Sequence, residues 1–124
     1  MKDSKLLDSS VWLDYLHNTA YSEIIDSDEI LFLSVLSIFE INKKLIKEKN
    51  SIQKILESIK FIKFRSIILQ ITEEIAEKAV EISIKNNLPT IDSLIYATAI
   101  INELIVITLD NDFRGLDKAM VLEK

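Results

Sequence analysis

The chain has 124 residues, of which 48% are hydrophobic and 28% charged, and a formal net charge of −5. This length fits a single domain over residues 1–124, and the acidic balance gives no general attraction to phosphate backbones, so any nucleic-acid binding must be local. The absence of cysteine excludes thiolate nucleophiles and sulfur-ligated metals, and a single glycine excludes glycine-rich phosphate loops.

Short apolar runs predict the β-strands, which in chain order are "KLLD" (5–8), "ILFLS" (30–34), "SIILQI" (66–71), "LIVITL" (104–109) and "AMVLE" (119–123). Four of the runs are nearly continuous, which is typical of parallel strands that are buried on both faces. Apolar residues at helical spacing lie between the runs, at 13–16, 38–46, 52–59, 75–82 and 91–99. This alternation predicts a single-domain α/β/α sandwich around a parallel sheet of four to five strands.

The sequence predicts no membrane segment and no targeting signal. The most apolar stretch, "LIYATAIINELIVITL" (94–109), is shorter than the roughly 20 residues of a spanning helix, and Asn102 and Glu103 interrupt it. The start, "MKDSKLLDSS", lacks the apolar region of a signal peptide. We therefore expect a cytoplasmic protein.

Carboxylates follow or precede several predicted elements at one edge of the sheet. Asp8 closes the first apolar run and Asp110 follows the fourth. Ser34 closes the second run, and Glu40 is predicted in the first turn of the next helix. Asp92 opens the helix that leads into the fourth strand. Because ligands of parallel α/β sheets bind beyond the carboxyl ends of the strands, we expect these four acids to converge there.

Each acid alone also has a structural interpretation. Glu40 could form a capping box with Ser37 in "SIFE", and Asp92 could complement the dipole of its helix. Asp8 could end its strand in an Asx turn, and the acids at 110–112 could cap the segment that follows.

Taken together, the four acids predict a metal site. Two carboxylates about 5 Å apart repel by about 3 kcal/mol at an effective dielectric constant near 20, so a fold rarely collects four without a cation. Hard oxygen ligands suit magnesium or manganese. Such ions lower the pKa of a bound water and stabilise the charge that develops during phosphoryl transfer.

Basic residues near these acids are candidates for substrate binding. Lys43, Lys44 and Lys47 share the predicted helical face of Glu40 and could contact phosphates. They could equally form a solvated face with a Glu40–Lys44 ion pair. Arg114, just after the acidic turn, is a similar candidate.

Three further side chains have open roles. His17, the single histidine, is predicted near the end of the first helix, where a structural or exposed role is favoured. Trp12 and Phe113 could stack on a base or lie in the core.

Four stretches, "LLDSSVWLDYL", "SVLSIFEI", "LPTIDSLIYATAI" and "VITLDNDF", in this order and at this separation, resemble the PIN domain, particularly the small ribonuclease toxins of the VapC type. The resemblance covers essentially the whole chain. It implies strand order 3-2-1-4-5 and metal-dependent cleavage of RNA. It also implies a cognate antitoxin that blocks the site and a homodimer.

The resemblance also implies a set of site residues. The catalytic and metal-binding acids would be Asp8, Glu40, Asp92 and Asp110, with Mg²⁺ or Mn²⁺ bound directly by the three aspartates and Glu40 acting through a water or on another ligand. Supporting roles fall to Asp112, Thr108, Ser10 and Ser34, and we rank Asp110 above Asp112.

Rival functions differ in the residues they need. A haloacid-dehalogenase-like phosphatase requires a second aspartate where Ser10 stands, and a receiver domain requires a phosphoacceptor that "SIILQIT" lacks. A catalytically inactive PIN-like structural or protein-binding module remains as the alternative, although retention of all four acids argues against it.

Overall fold

The computed structural model describes residues 4–123, which contain a five-stranded sheet. The strands are β1 Ser4–Leu7, β2 Leu31–Ser34, β3 Ser66–Leu69, β4 Leu104–Thr108 and β5 Ala119–Val121. All four pairings are parallel and the order is β3-β2-β1-β4-β5, which confirms the predicted topology. Each strand overlaps its predicted run: β1 begins one residue before its run, β2 ends with its run, and β1, β3, β4 and β5 end one or two residues before the ends of theirs.

Six α-helices and one 3₁₀ turn connect the strands in the described residues. The helices are α1 Ser9–Asn18, α2 Ser22–Ile25, α3 Val35–Lys47, α4 Ile52–Arg65, α5 Glu73–Asn86 and α6 Thr90–Ile101, and the 3₁₀ turn is Asn111–Phe113. Apolar spacing predicts all of them except the single-turn α2 and the 3₁₀ turn. Both are too short to show a helical period.

The core lies on both faces of the sheet, which confirms the α/β/α sandwich. Leu6 and Val106 pack with α5 and α6, whereas Leu7 and Ile107 pack on the opposite face with α1, α3 and α4. All four are at most 1% exposed. Burial of each such side chain stabilises the fold by about 1.5–3 kcal/mol. Neighbouring residues of one strand are thus buried on opposite faces, which explains the continuous apolar runs.

The outer faces of some helices carry apolar residues that helical spacing would place in a core. Ile46, Ile52 and Leu56 are 62%, 78% and 64% exposed. Residues 94–109 form the end of α6 followed by β4, as predicted. Across residues 4–123 no helix has both the length and the hydropathy that crossing a membrane requires.

Candidate active site

The predicted acids lie at the carboxyl edge of the two central strands. Asp8 follows β1 directly and is the N-cap of α1, while Asp110 lies two residues beyond the end of β4. Asp92 is the third residue of α6, and Glu40 lies on α3, the helix that follows β2. Because β1 and β4 are paired in parallel, their carboxyl ends stand side by side.

Three of the carboxylates form a tight group. Asp92, Asp110 and Asp112 each place one oxygen within 4.8 Å of the others. Asp92 and Asp110 are partly buried, and Asp112 is exposed. Within residues 4–123 no ion pair neutralises any of the three. The group therefore includes Asp112, which the sequence ranks below Asp110, and does not include Asp8 or Glu40.

The 3₁₀ turn brings Asp112 to this group. Asp110 caps the turn, because its Oδ1 accepts a hydrogen bond from the backbone N–H of Asp112 at 2.9 Å. Asp110 therefore caps the 3₁₀ turn, as its structural interpretation predicts, and also belongs to the group of three carboxylates.

Asp8 has a different environment. It is 5% exposed, and its Oδ2 accepts hydrogen bonds from Thr108 Oγ1 at 2.7 Å and Ser10 Oγ at 3.1 Å. Its Oδ1 accepts from the backbone N–H of Ser9 at 2.8 Å. Three donors from two chain segments therefore fix this carboxylate.

The same hydroxyls also hold the loop after β4. Thr108 Oγ1 accepts from the backbone N–H of Asp110 at 3.0 Å, and Ser10 Oγ accepts from that of Leu109 at 3.0 Å. Each hydroxyl donates to Asp8 and accepts from the loop, so the position of Asp110 depends on that of Asp8. Thr108 and Ser10 therefore link Asp8 to this loop through hydrogen bonds.

Glu40 lies in the second turn of α3, not the first. The N-cap is Ser34, whose Oγ accepts from the backbone N–H of Leu36 at 3.1 Å. The capping box with Ser37 is wrong, because Ser37 is fully buried inside the helix and its hydroxyl has no hydrogen-bond partner among the described residues. Glu40 Oε1 instead accepts from Ser9 Oγ at 3.1 Å. Ser9 is not among the site residues predicted from the sequence. Its position directly after Asp8 in "DSS" is the one sequence signal that could have identified it.

Burial and the charges of neighbouring acids raise the pKa of three of the acids, Asp8, Glu40 and Asp92. The pKa of Asp92 is raised to about 7, first by burial and then by the charges of Asp110, Asp8, Asp112 and Glu40. Burial also raises the pKa of Glu40, and the charge of Asp8 adds to this. For Asp8, burial raises the pKa while its hydrogen bonds oppose the rise. The charges of the other four carboxylates all act on Asp92, so the five lie at a single site.

The donor set fits a hard divalent cation. The group offers only carboxylate oxygens, which magnesium and manganese prefer to softer ligands. It combines like charges that nothing in the described protein neutralises, and a cation would remove their repulsion. Asp92, Asp110 and Asp112 would hold such an ion, with Asp8 and Glu40 beside them.

The candidate substrate-binding lysines line two cavities beside the acids. Lys43, Lys44 and Lys47 share a cavity of about 400 Å³ with Glu40, and Lys44 also lines one of about 320 Å³ with Asp110. The Glu40–Lys44 ion pair does not occur, and in the part of the chain described none of the three lysines forms an ion pair.

The other candidates have internal partners. The Arg114 guanidinium donates to Asn111 Oδ1 at 2.8 and 3.2 Å. Trp12 and Phe113 are fully buried, so the base-stacking alternative for them is wrong. His17 lies in the last turn of α1, with its Nε2 2.9 Å from a carboxylate oxygen of Glu48.

A parallel α/β/α domain with clustered carboxylates beyond its central strands is of the class that can hold divalent cations. The chain belongs to the PIN domain family, whose model matches residues 5–119. No curated protein sequence matches it significantly.

Solved structures share the fold at low sequence identity. A toxin–antitoxin complex from Klebsiella pneumoniae has a TM-score of 0.79 at 22% identity, covering 95% of this chain and 97% of that chain. VapBC-1 from nontypeable Haemophilus influenzae has a TM-score of 0.77 at 15% identity, covering 96% of each chain. The sarcin-ricin loop cleaving toxin VapC20 of Mycobacterium tuberculosis has a TM-score of 0.75 at 14% identity, covering 97% of this chain and all of that one.

Proposed function

We propose that this chain is a divalent-metal-dependent endoribonuclease and the toxin of a VapBC-type toxin–antitoxin pair. The observation that carries the proposal is the group of three carboxylates within 4.8 Å of one another at the carboxyl edge of a PIN domain. The fold is shared with VapC20, which is described as cleaving the sarcin-ricin loop, an RNA.

In this proposal the catalytic and metal-binding set consists of the predicted Asp8, Glu40, Asp92 and Asp110, joined by Asp112. A bound Mg²⁺ or Mn²⁺ would lower the pKa of water and offset the charge that develops on the phosphoryl group. The pKa of Asp92, raised to about 7, makes its protonated form more populated near neutral pH than that of an ordinary aspartate, and a bound cation would favour the ionised form.

The other residues keep this set in place. Thr108 and Ser10 hold Asp8 to the loop that carries Asp110, and Ser9 donates to Glu40. The phosphates of RNA would contact Lys43 and Lys44 beside the acids, and Arg114 remains a weaker candidate.

The proposed partners follow from the same assignment. Similar structures are named as toxin–antitoxin complexes, which supports a cognate antitoxin that covers the acidic site. We also expect a homodimer, which light scattering can measure, and action in the cytoplasm, where RNA and antitoxin meet.

The test is cleavage of a mixed RNA pool by the antitoxin-free protein with magnesium or manganese. We expect cleavage that a chelator stops and that added manganese restores. Asp92→Asn, purified identically, serves as the control for contaminating nucleases and should not cleave. Asp117→Asn changes an exposed acid outside the group and should cleave normally.

Two results would contradict the proposal. Equal cleavage by wild type and Asp92→Asn would assign the activity to a contaminant. A complete lack of chelator-sensitive cleavage across tRNA, rRNA and mRNA fragments would favour the inactive, protein-binding module.

A further inference from the structure

An exposed aromatic ring stands beside the acids on α3. Phe39 precedes Glu40 and is 63% exposed, whereas Ile41 and Leu45 of the same helix are buried in the core. Lys43 and Lys47 follow it at intervals of four residues, so the three side chains form one stripe along the helix. The Lys43 ammonium lies 5.7 Å from the centre of the Phe39 ring.

We propose that Phe39, Lys43 and Lys47 form a platform on which one base of single-stranded RNA stacks next to the carboxylates. This inference rests on the proposed function and specifies that the RNA bound at the site is single-stranded. Phe39 would bind the base, and the two lysines would bind the adjoining phosphates.

The shape of the surface supports this arrangement. Phe39, Lys43 and Lys47 line two neighbouring cavities of about 400 and 470 Å³, so the stripe is a ridge between them. The first cavity also contains Glu40 and Ile91, and Ile91 is adjacent to Asp92. A base on this ridge therefore lies beside the carboxylates.

A path for the strand continues past the acids. Lys44 lines the cavity that contains Glu40 and also the cavity of about 320 Å³ that contains Asp110 and Ser10. An ammonium group between two cavities, each with a carboxylate of the site, can hold a phosphate as the strand passes from one to the other.

The chemistry of the ridge favours a nucleic acid that is not paired. In a chain of net charge −5, Lys43, Lys44 and Lys47 form no ion pair within residues 4–123, so they attract an anionic ligand locally. An exposed ring stacks on any base, but only an unpaired base offers its face. A duplex hides its base faces, so single-stranded RNA fits best.

The experiment compares Phe39→Ala with Phe64→Ala. Phe64 is a matched control because it is an exposed phenylalanine, 88% accessible, on the neighbouring helix α4 and outside these cavities. The probe is a single-stranded RNA of about 12 nucleotides that contains 2-aminopurine, whose fluorescence falls when it stacks. Binding is measured in an Asp92→Asn background, where the RNA stays intact, and KM and kcat are measured in the wild-type background.

We expect Phe39→Ala to raise Kd and KM about tenfold with little change in kcat, and Phe39→Trp to restore binding and deepen the quenching. Phe64→Ala should stay within about twofold of wild type. Lys43→Ala and Lys47→Ala should each reduce the slope of log Kd against log salt by about 0.7.

Equal Kd values for Phe39→Ala and Phe64→Ala would overturn the platform. A change of molecular mass in light scattering for Phe39→Ala, with unchanged RNA binding, would also overturn it and would assign the ridge to a protein contact. If wild type cleaves RNA but KM does not depend on Phe39, the platform fails and the proposed function stands. If wild type does not cleave but binding depends on Phe39, the proposed function fails and the platform stands.

Discussion

Asp8 and Asp92 lie at the same edge of the sheet and differ in what surrounds them. Asp8 is almost fully buried and accepts hydrogen bonds from Thr108, Ser10 and Ser9. Asp92 is partly buried, accepts no hydrogen bond among the described residues, and is repelled by the other four acids of the site. Hydrogen bonds within the protein offset part of the cost of burying the Asp8 charge, whereas no such hydrogen bond from the described residues offsets the burial and repulsion of the Asp92 charge. The same residue type is thus held by hydrogen bonds at one position and, in the described part of the chain, lacks them at the other.

The largest effect that distinguishes Asp92 from Asp8 is expected for Asp92→Asn. It should lower kcat about 1,000-fold, since it removes several kcal/mol of metal-dependent stabilisation of the transition state. The melting temperature of the metal-free protein should stay unchanged or rise, because a repelled charge is lost. Marked unfolding of this variant would instead support a role as a helix-dipole partner in α6.

Asp8→Asn, in contrast, should lower the stability of the metal-free protein. The amide presents an NH₂ group to hydroxyl and backbone donors, so we expect the free energy of unfolding to fall by about 2 kcal/mol. Chemical denaturation of the metal-free protein measures it, with Asp117→Asn as the control. If Asp8→Asn and Asp92→Asn changed stability in the same direction, the distinction between the two sites would be lost.

A smaller effect is expected for Thr108→Val, which keeps the shape of the side chain. It removes the donor to Asp8 and leaves the backbone N–H of Asp110 without an acceptor, at a cost of about 1–2 kcal/mol. Thr108→Ser retains the hydroxyl and should recover most of this stability. Equal loss in the valine and serine variants would mean that packing of the methyl group, not the hydrogen bonds, matters.

The smallest difference concerns pH, because Asp92 is partly exposed and solvent screens its neighbours. Its pKa in the folded chain is raised from 3.8 to about 7, so the folded state binds more protons than the unfolded state between these values. The free energy of unfolding of the metal-free protein should therefore fall as pH rises from about 4 to 7. Asp92→Asn should flatten this dependence, and parallel profiles for variant and wild type would contradict the assignment.

Much of the fold can be predicted from the apolar runs. Strands that are buried on both faces carry apolar residues at successive positions and do not alternate between apolar and polar residues. The placement of Asp8, Asp92 and Asp110 at one edge of the sheet follows from topology as well, since each lies near a strand end or a helix start on the carboxyl edge. These placements can be predicted without knowing any side-chain contact.

The rest depends on tertiary contacts that periodicity does not encode. Both Ser34 and Ser37 are plausible helix caps, and only packing decides that Ser37 is buried in α3 and Glu40 lies one turn later. The place of Asp112 depends on a 3₁₀ turn too short to have a period. Phe39 lies within an apolar helical stretch, but it is on the face that remains exposed.

The most direct test of the central claim is the melting temperature of wild type and Asp92→Asn with and without manganese. At about 100 times its Kd, manganese should stabilise wild type by about 2.7 kcal/mol, and the variant should gain much less. No shift in wild type at millimolar manganese, or the same shift in both proteins, would contradict a cation site at these carboxylates.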